Sequence, residues 1–584
     1  MPVVHSPVRL HRLFSLVPVA LALAACGGGS DGAATDTFTT SVTLSGTAAT
    51  GAAIGNRLVE AKCKGAAATA NSQNDGTYSI PVSGGQLPCV LRVTAADGTV
   101  LHSLATGSGS AARANITPVS ELVLANLGAA APASYYAGFD ATAAAALTQA
   151  KADAAVTAVV GTLQSAGVDL TDAGNVLTAT LVAGSATDKL DVALDLLKTK
   201  LATASPGTDF KTALATLAGA VAKASPAAPA TAWDNTPSLP ADLLLQPAAA
   251  NCSALRSGKY RLVFNRNRPG SGSHDTTVLS IDATTLKVVD DGDGTVDQLT
   301  ANGNCRYKTP ANGELVVSQA GVIVGQIHDA GNFYLGVAFP QQTHPVSALA
   351  GEWNSLQLDR TEDNGPIILT NGTWTVDTAG KLTAATFCEN GDNGFVCDSG
   401  TSATPGFPGF AATVNTGGGF NWANAGDGFT ERVFLYKSGG GELLRVQLSD
   451  AGGHLGLWTR KLAGTLPEPG RVTQNMSITQ NNNYTASGFS DSKHTVRTVD
   501  TAANSYLRDA VVFQNGVATS VTQPETFRLH NPRDGFSLRV GETVTASDGS
   551  SRTVSSFIAM GLRGTGISVV GLPASNALVL SVAK

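Results

Sequence analysis

The sequence is short of charge and of aromatic rings: Asp, Glu, Lys and Arg make up 14% of its 584 residues, and Phe, Trp and Tyr 6%. Basic residues number 38 against 44 acidic, so no cationic surplus exists to hold a phosphate backbone, and no nucleic acid is expected as a partner. Beyond the first thirty residues no run of 18 or more apolar residues occurs, which excludes a bundle of membrane-spanning helices. Catalytic signatures are missing as well. There is no G-x-S-x-G elbow between a strand and a helix, no H-E-x-x-H, no Walker loop and no G-x-G-x-x-G after a strand. His102, His274, His328, His344, His454, His494 and His530 stand singly, so they form no metal cluster or triad in sequence. The chain is long enough for three or four domains at roughly 150 residues each, and its mean hydropathy of +0.08 suits folded cores.

The first informative stretch is the N-terminus. Arg9 and Arg12 precede an apolar run from Leu13 to Leu23, too short to span a bilayer, and then come Leu23-Ala24-Ala25-Cys26 and Gly27-Gly28-Gly29-Ser30. This resembles the bacterial lipobox, in which the signal peptide (1–25) is removed and the thiol, here Cys26, is joined to diacylglycerol. The resemblance implies a lipoprotein whose partner is a membrane, held by acyl chains well above the one-chain marginal case. Gly27 is not the aspartate that retains such proteins at the inner membrane, so the expected site is the outer membrane. Residues 26–39 then form a flexible lipidated tether. Removal of Arg9 and Arg12 leaves 36 basic residues against 44 acidic ones.

Six cysteines remain in an oxidising compartment, in sequence-local couples: Cys63 with Cys89, Cys252 with Cys305, and Cys388 with Cys397. Fifteen connectivities are open to six cysteines, and nearest-neighbour pairing keeps each bridge within one expected domain. No C-x₂-C spacing suggests a metal instead.

The residue pattern predicts a multidomain α+β chain: an N-terminal β-sandwich (40–116), an Ala-rich helical segment (117–225), a Pro/Ala linker (226–252), and three all-β modules, barrel or meander, at 253–345, 346–462 and 463–584. In the first part, strands are expected at Thr39–Leu44, Arg57–Cys63, Thr77–Val82 and Val90–Ala95. Gly51-Ala52-Ala53-Ile54-Gly55-Asn56-Arg57-Leu58-Val59 and Asn74-Asp75-Gly76-Thr77-Tyr78-Ser79-Ile80 resemble the carboxypeptidase-regulatory-like, transthyretin-type sandwich, which implies a non-catalytic spacer or binding role. Thr117-Pro118 opens a helix, and helices are expected at about 141–166, 186–203 and 208–223. In the second of these, Leu190, Val192, Leu194, Leu196, Leu197 and Leu201 form the apolar face.

An internal repeat marks the β modules. Gln326-Ile327-His328-Asp329-Ala330-Gly331 answers Gln447-Leu448-Ser449-Asp450-Ala451-Gly452, and Gly258-Lys259-Tyr260 answers Gly351-Glu352-Trp353. Closely spaced strands opened by Gly-x-aromatic resemble a lipocalin-like barrel or meander. Two features suggest sites. Asp291, Asp293 and Asp297, in Asp-Gly-Asp-Gly-Thr-Val-Asp, fit either a calcium loop or an acidic hairpin turn, since Val289 stands where a first ligand belongs and no closing glutamate follows. Trp353, Trp374, Trp422 and Trp458 fit either a core or a surface that stacks on a sugar ring or an apolar ligand. The Cys388–Cys397 loop reads as a stapled surface loop or a recognition tip. The function expected is non-catalytic binding or display at the cell envelope, toward a protein, glycan or apolar ligand. The alternatives are a surface hydrolase with paired carboxylates and a periplasmic carrier of an apolar molecule.

Overall fold

The computed structural model describes residues 41–584, apart from 226–235, 265–275, 361–365, 392–393, 405–406, 425, 427, 450–454, 515–516 and 519. The lipobox, Cys26 and the tether lie outside the described residues, as do His274, His454 and Asp450.

Period-two alternation builds the first part. Val42 and Leu44 in Ser41–Thr47, Val59, Ala61 and Cys63 in Leu58–Lys64, and Tyr78, Ile80 and Val82 in Thr77–Ser83 turn inward between two facing sheets. One sheet has the order Thr77–Ser83, Ser41–Thr47, Ala111–Arg113; the other runs Ala67–Asn71, Leu58–Lys64, Gln86–Thr94, Val100–Ala105. The Asn74-Asp75-Gly76 turn works as its residues suggest. Asp75 accepts from the Thr77 amide at 2.9 Å, and Gly76 sits at φ +83° with the Ala48 carbonyl where a Cβ would lie.

Helices then cover this sandwich, and the two share one apolar core. Thr117 and Ser120 cap each other's backbone amides, and nearly all of Pro118–Gly128 is buried. Two expectations are corrected. The single helix at about 141–166 is two, Ala141–Ala146 and Gln149–Ser165, because Leu147 leaves the helix and Thr148 caps a new start. In Lys189–Ala204, Val192 and Leu196 face solvent, while Ala193 and Asp191 take places on the buried side.

The remaining chain forms three antiparallel β modules in which strands follow one another around a ring. In the first, Gly258–Phe264 pairs with the last strand, Asn332–Pro340. Its ring closes through a strand bent at Leu299, which pairs with Lys287–Asp290 before the bend and with Arg306–Lys308 after it. The second pairs Gly351–Arg360 with Leu455–Arg460, but no ladder joins Gly394–Thr401 to Phe410–Val414 among the described residues, so a seam remains. The third is a closed ring of eight strands from Val472–Gln480 to Ala577–Ala583. The fold is thus multidomain α+β, with all-β barrel modules after the sandwich and helices.

The largest core of this half lies outside the barrels. Val324 and Val337 of the first, Leu356, Val446 and Leu457 of the second, and Ile478, Val569 and Leu580 of the third share one apolar cluster. Each barrel therefore has its most aliphatic wall turned outward onto its neighbours, and its interior is left for other residues.

Candidate functional site in the second barrel

Strand Leu443–Ser449 shows how the interior is made. Leu444, Val446 and Leu448 point to the shared outer core, so Arg445 and Gln447, on the alternate positions, face inward. Register places Arg445 opposite Trp458, Trp458 opposite Ser355, Gln447 opposite Gly456, and Gly456 opposite Gln357. Of these, Gln357, Gln447 and Trp458 line a cavity of about 590 Å³. Its wall carries Trp374, Trp422 and Trp458, the rings of Phe387, Phe407, Phe410 and Phe429, and the polar side chains of Gln357, Asp359, Asp398, Glu431 and Gln447.

The rings form two stacks. Trp374 lies on Trp458 with centroids 5.1 Å apart, and Phe410 on Trp422 at 5.9 Å. Arg445 connects them, its guanidinium 3.9 Å from the Trp458 ring and 4.5 Å from that of Trp422. Gly372 makes room for one indole. A Cβ there would come within 2.4 Å of Trp374 Nε1, which donates to Ser355 Oγ at 2.9 Å.

A buried polar chain runs behind the rings. Arg445 Nε donates to Gln447 Oε1 at 3.0 Å, a second guanidinium nitrogen binds the same oxygen, and Gln447 Nε2 donates to Glu431. Arg445 is wholly buried, and desolvation pulls its guanidinium down to about 9 against the opposing pull of Glu431. Four buried groups on this inner face make no hydrogen bond within the protein: Arg445 Nη1, Trp458 Nε1, Gln357 Oε1 and Thr370 Oγ1, the last two directly opposite one another. Of these four residues, Gln357 and Trp458 belong to the cavity wall.

Of the four tryptophans singled out in sequence, three meet at this cavity and Trp353 does not. It is fully buried beneath the Arg460 guanidinium, 4.0 Å away, and its Nε1 donates to the Leu349 carbonyl at 2.7 Å. Tyr260 does the same one module earlier, donating to the Arg256 carbonyl at 2.9 Å. The Gly-x-aromatic repeat is therefore a structural device.

The Gln-x-x-Asp-Ala-Gly repeat is not equivalent in space. The leading glutamines, Gln326 and Gln447, both lie on the penultimate strand, but Gly325 pairs with Gly336 where Gln447 pairs with Gly456. Gln326 is thereby slipped one residue onto the outer wall, where its Nε2 reaches the Ala486 and Ser487 carbonyls.

The acidic motif edges the first barrel. Asp293 and Asp297 line its cavity of about 460 Å³, whose wall is otherwise mainly apolar. Asp291 is turned to Lys259 and Ser280, which lower its carboxyl below the usual range, and Asp293 accepts from the Thr295 amide. No group of three His, Cys, Asp or Glu side chains is placed to hold a metal among the described residues.

The third barrel carries charge within it: Glu525 lies between Arg508 at 2.8 Å and Arg539 at 2.6 Å. Cys63–Cys89, Cys252–Cys305 and Cys388–Cys397 are disulfides, and the last bridges directly opposed strands. The expected loop there is instead a hairpin docked on the third barrel, with Asn390 Nδ2 donating to Pro573 and Asn576. Sequence reasoning missed Arg445, Gln447, Glu431 and Gln357.

No family model and no curated protein matches the chain. Two solved structures are similar to parts of it. One is a protein of unknown function of the DUF3598 family from Nostoc punctiforme, at 12% identity over 41% of this chain and 97% of that one, with a TM-score of 0.14. The other is isotype 1 transferrin binding protein B from serogroup B Neisseria meningitidis, at 11% identity over 56% of this chain and 69% of that one, with a TM-score of 0.18. At such scores neither likeness transfers a fold or a function.

Proposed function

We propose that this is a lipid-anchored protein of the cell envelope, held at the outer membrane through Cys26, which binds a small molecule inside its second barrel and performs no chemistry on it. The anchor rests on Leu23-Ala24-Ala25-Cys26 and the glycine-rich tether behind it. Among the described residues no helix is long and apolar enough to cross a membrane. The binding role rests on one observation: an aromatic cavity of about 590 Å³ whose wall also carries the amides of Gln357 and Gln447 and the carboxylates of Asp359, Asp398 and Glu431. A second reading, carriage of an apolar molecule, is favoured by the first barrel, whose cavity is walled by Leu262, Phe264, Leu279, Ile281, Ile323 and Ile327.

Native mass spectrometry on the Cys26→Ser chain, recovered from an oxidising compartment, tests the binding. The expected result is a mass above that of the chain, absent from the Trp374→Ala variant. A bare mass, with no small-molecule extract of the envelope quenching tryptophan fluorescence, rejects it. Retention of the Cys26→Ser chain in the membrane fraction would reject the anchor.

A further inference from the structure

The first and second barrels place the same strands in the same register, so their interiors can be compared position by position. Leu262, Phe264, Ile323, Gly325 and Ala338 of the first stand where the second has Ser355, Gln357, Arg445, Gln447 and Trp458. The scaffold is built equally well with the apolar set. Nothing in the fold demands the polar set, and burying Arg445 and Gln357 with unmet hydrogen bonds works against folding. Those on the cavity wall, Gln357, Gln447 and Trp458, answer to a ligand.

Their chemistry says which kind. The cavity wall carries the amides of Gln357 and Gln447, which donate and accept, and the carboxylates of Asp359, Asp398 and Glu431, which accept. An alkyl chain would leave all of them unmet. A cation would approach the Arg445 guanidinium, which already lies against the Trp422 and Trp458 rings. An anion meets three carboxylates in the wall, Asp359, Asp398 and Glu431, against the guanidinium of Arg445 that lies on the Trp458 ring. A hydroxyl both donates and accepts, and a ring whose C–H face is apolar and whose edge carries hydroxyls fits indole stacks set among carboxylates and amides.

We infer that the ligand of the second barrel is a neutral saccharide, its ring face on the Trp374–Trp458 stack and its hydroxyls on Gln357 and the neighbouring carboxylates. This rests on the reading of that barrel as a binding site.

Intrinsic tryptophan fluorescence of the Cys26→Ser chain, titrated with three probe sets, tests it. The sets are neutral oligosaccharides (maltose, cellobiose, chitobiose, mannobiose and xylobiose), tetraethylammonium as a cation, and N-phenyl-1-naphthylamine as a neutral apolar probe. Saturable quenching by at least one saccharide is expected, weakened at least about tenfold in Trp374→Ala, the loss of one stacking contact and the area it buries. Gln357→Leu, matching the apolar Phe264 position of the first barrel, should weaken the saccharide and tighten the naphthylamine. Trp374→Phe keeps a ring and should recover part of the loss, which separates stacking from failure to fold. Quenching by tetraethylammonium or the naphthylamine alone overturns the saccharide and leaves the binding site standing. Quenching by none of the three overturns both.

Discussion

Gly372→Ala is the sharpest test of how the cavity is assembled. The new methyl would lie 2.4 Å from Trp374 Nε1 and 2.7 Å from Cε2, closer than any Cβ tolerates, and the flexible partner is the indole. Displacing it breaks the 2.9 Å bond to Ser355, worth about 1 kcal/mol, and the stack on Trp458, worth about 0.5–1.5 kcal/mol. Replacing a strand glycine by alanine returns about 0.5 kcal/mol or more. The net loss expected is therefore about 1–2 kcal/mol. In a Trp374→Ala background the methyl meets no indole, and the same change should be neutral or mildly stabilising. The coupling energy between the two sites is then about 2 kcal/mol, read from guanidinium midpoints of the four proteins at common slope. An equal cost of Gly372→Ala in both backgrounds would refute the packing argument.

Three further outcomes follow from the geometry. Closed-loop lengths of 53, 26 and 9 residues rank the disulfides, so removing Cys252–Cys305, Cys63–Cys89 or Cys388–Cys397 should cost about 4, 3.5 and 2.5 kcal/mol, measured by denaturation of each paired Cys→Ala variant. Burial raises the Glu525 carboxyl, and Arg508 and Arg539 more than reverse this, so it titrates below the ordinary glutamate range. Its contribution is fully present above the unfolded-state value of about 4.3 and is lost as pH falls through the lower folded value. Glu525→Gln should lower stability by about 3–5 kcal/mol at neutral pH and abolish that acid limb in a Tm-against-pH series. His494, pulled down to about 4 chiefly by burial, works in a different window. Its neutral form is stabilising above about 6.5, and stability should fall between pH 6.5 and 4 by an amount that His494→Gln removes.

Much of the architecture is legible in the residues because it follows local rules. The Thr117–Pro118 helix start, the Asn-Asp-Gly turn and the strands of the β modules need only capping, turn chemistry and alternation. The stretch 141–166 holds two helices where its composition suggests one, because alanine gives no sign of where Leu147 must leave the helix to be buried. The site was less legible, for a more general reason. Alternation in Leu444-Arg445-Val446-Gln447-Leu448 separates two faces but does not say which one is inside. In an isolated barrel the leucines would fill the interior and Arg445 would meet water. Three barrels packed wall to wall invert that assignment, and the inversion depends on contacts between segments more than a hundred residues apart. The Gln326 and Gln447 copies failed in the same way, since a one-residue slip on the strand is invisible to a sequence alignment.

The shared outer core has a consequence for how such a molecule can change over time. When the residues that hold a barrel together are also those that line it, every new specificity is a threat to folding. Here cohesion comes largely from Val324, Val446, Leu457, Ile478 and Leu580, none of which faces a chamber. Duplicated chambers are thereby free to drift apart in chemistry, one toward Leu262 and Ile323 and the other toward Arg445 and Trp458, while the architecture that presents them stays the same.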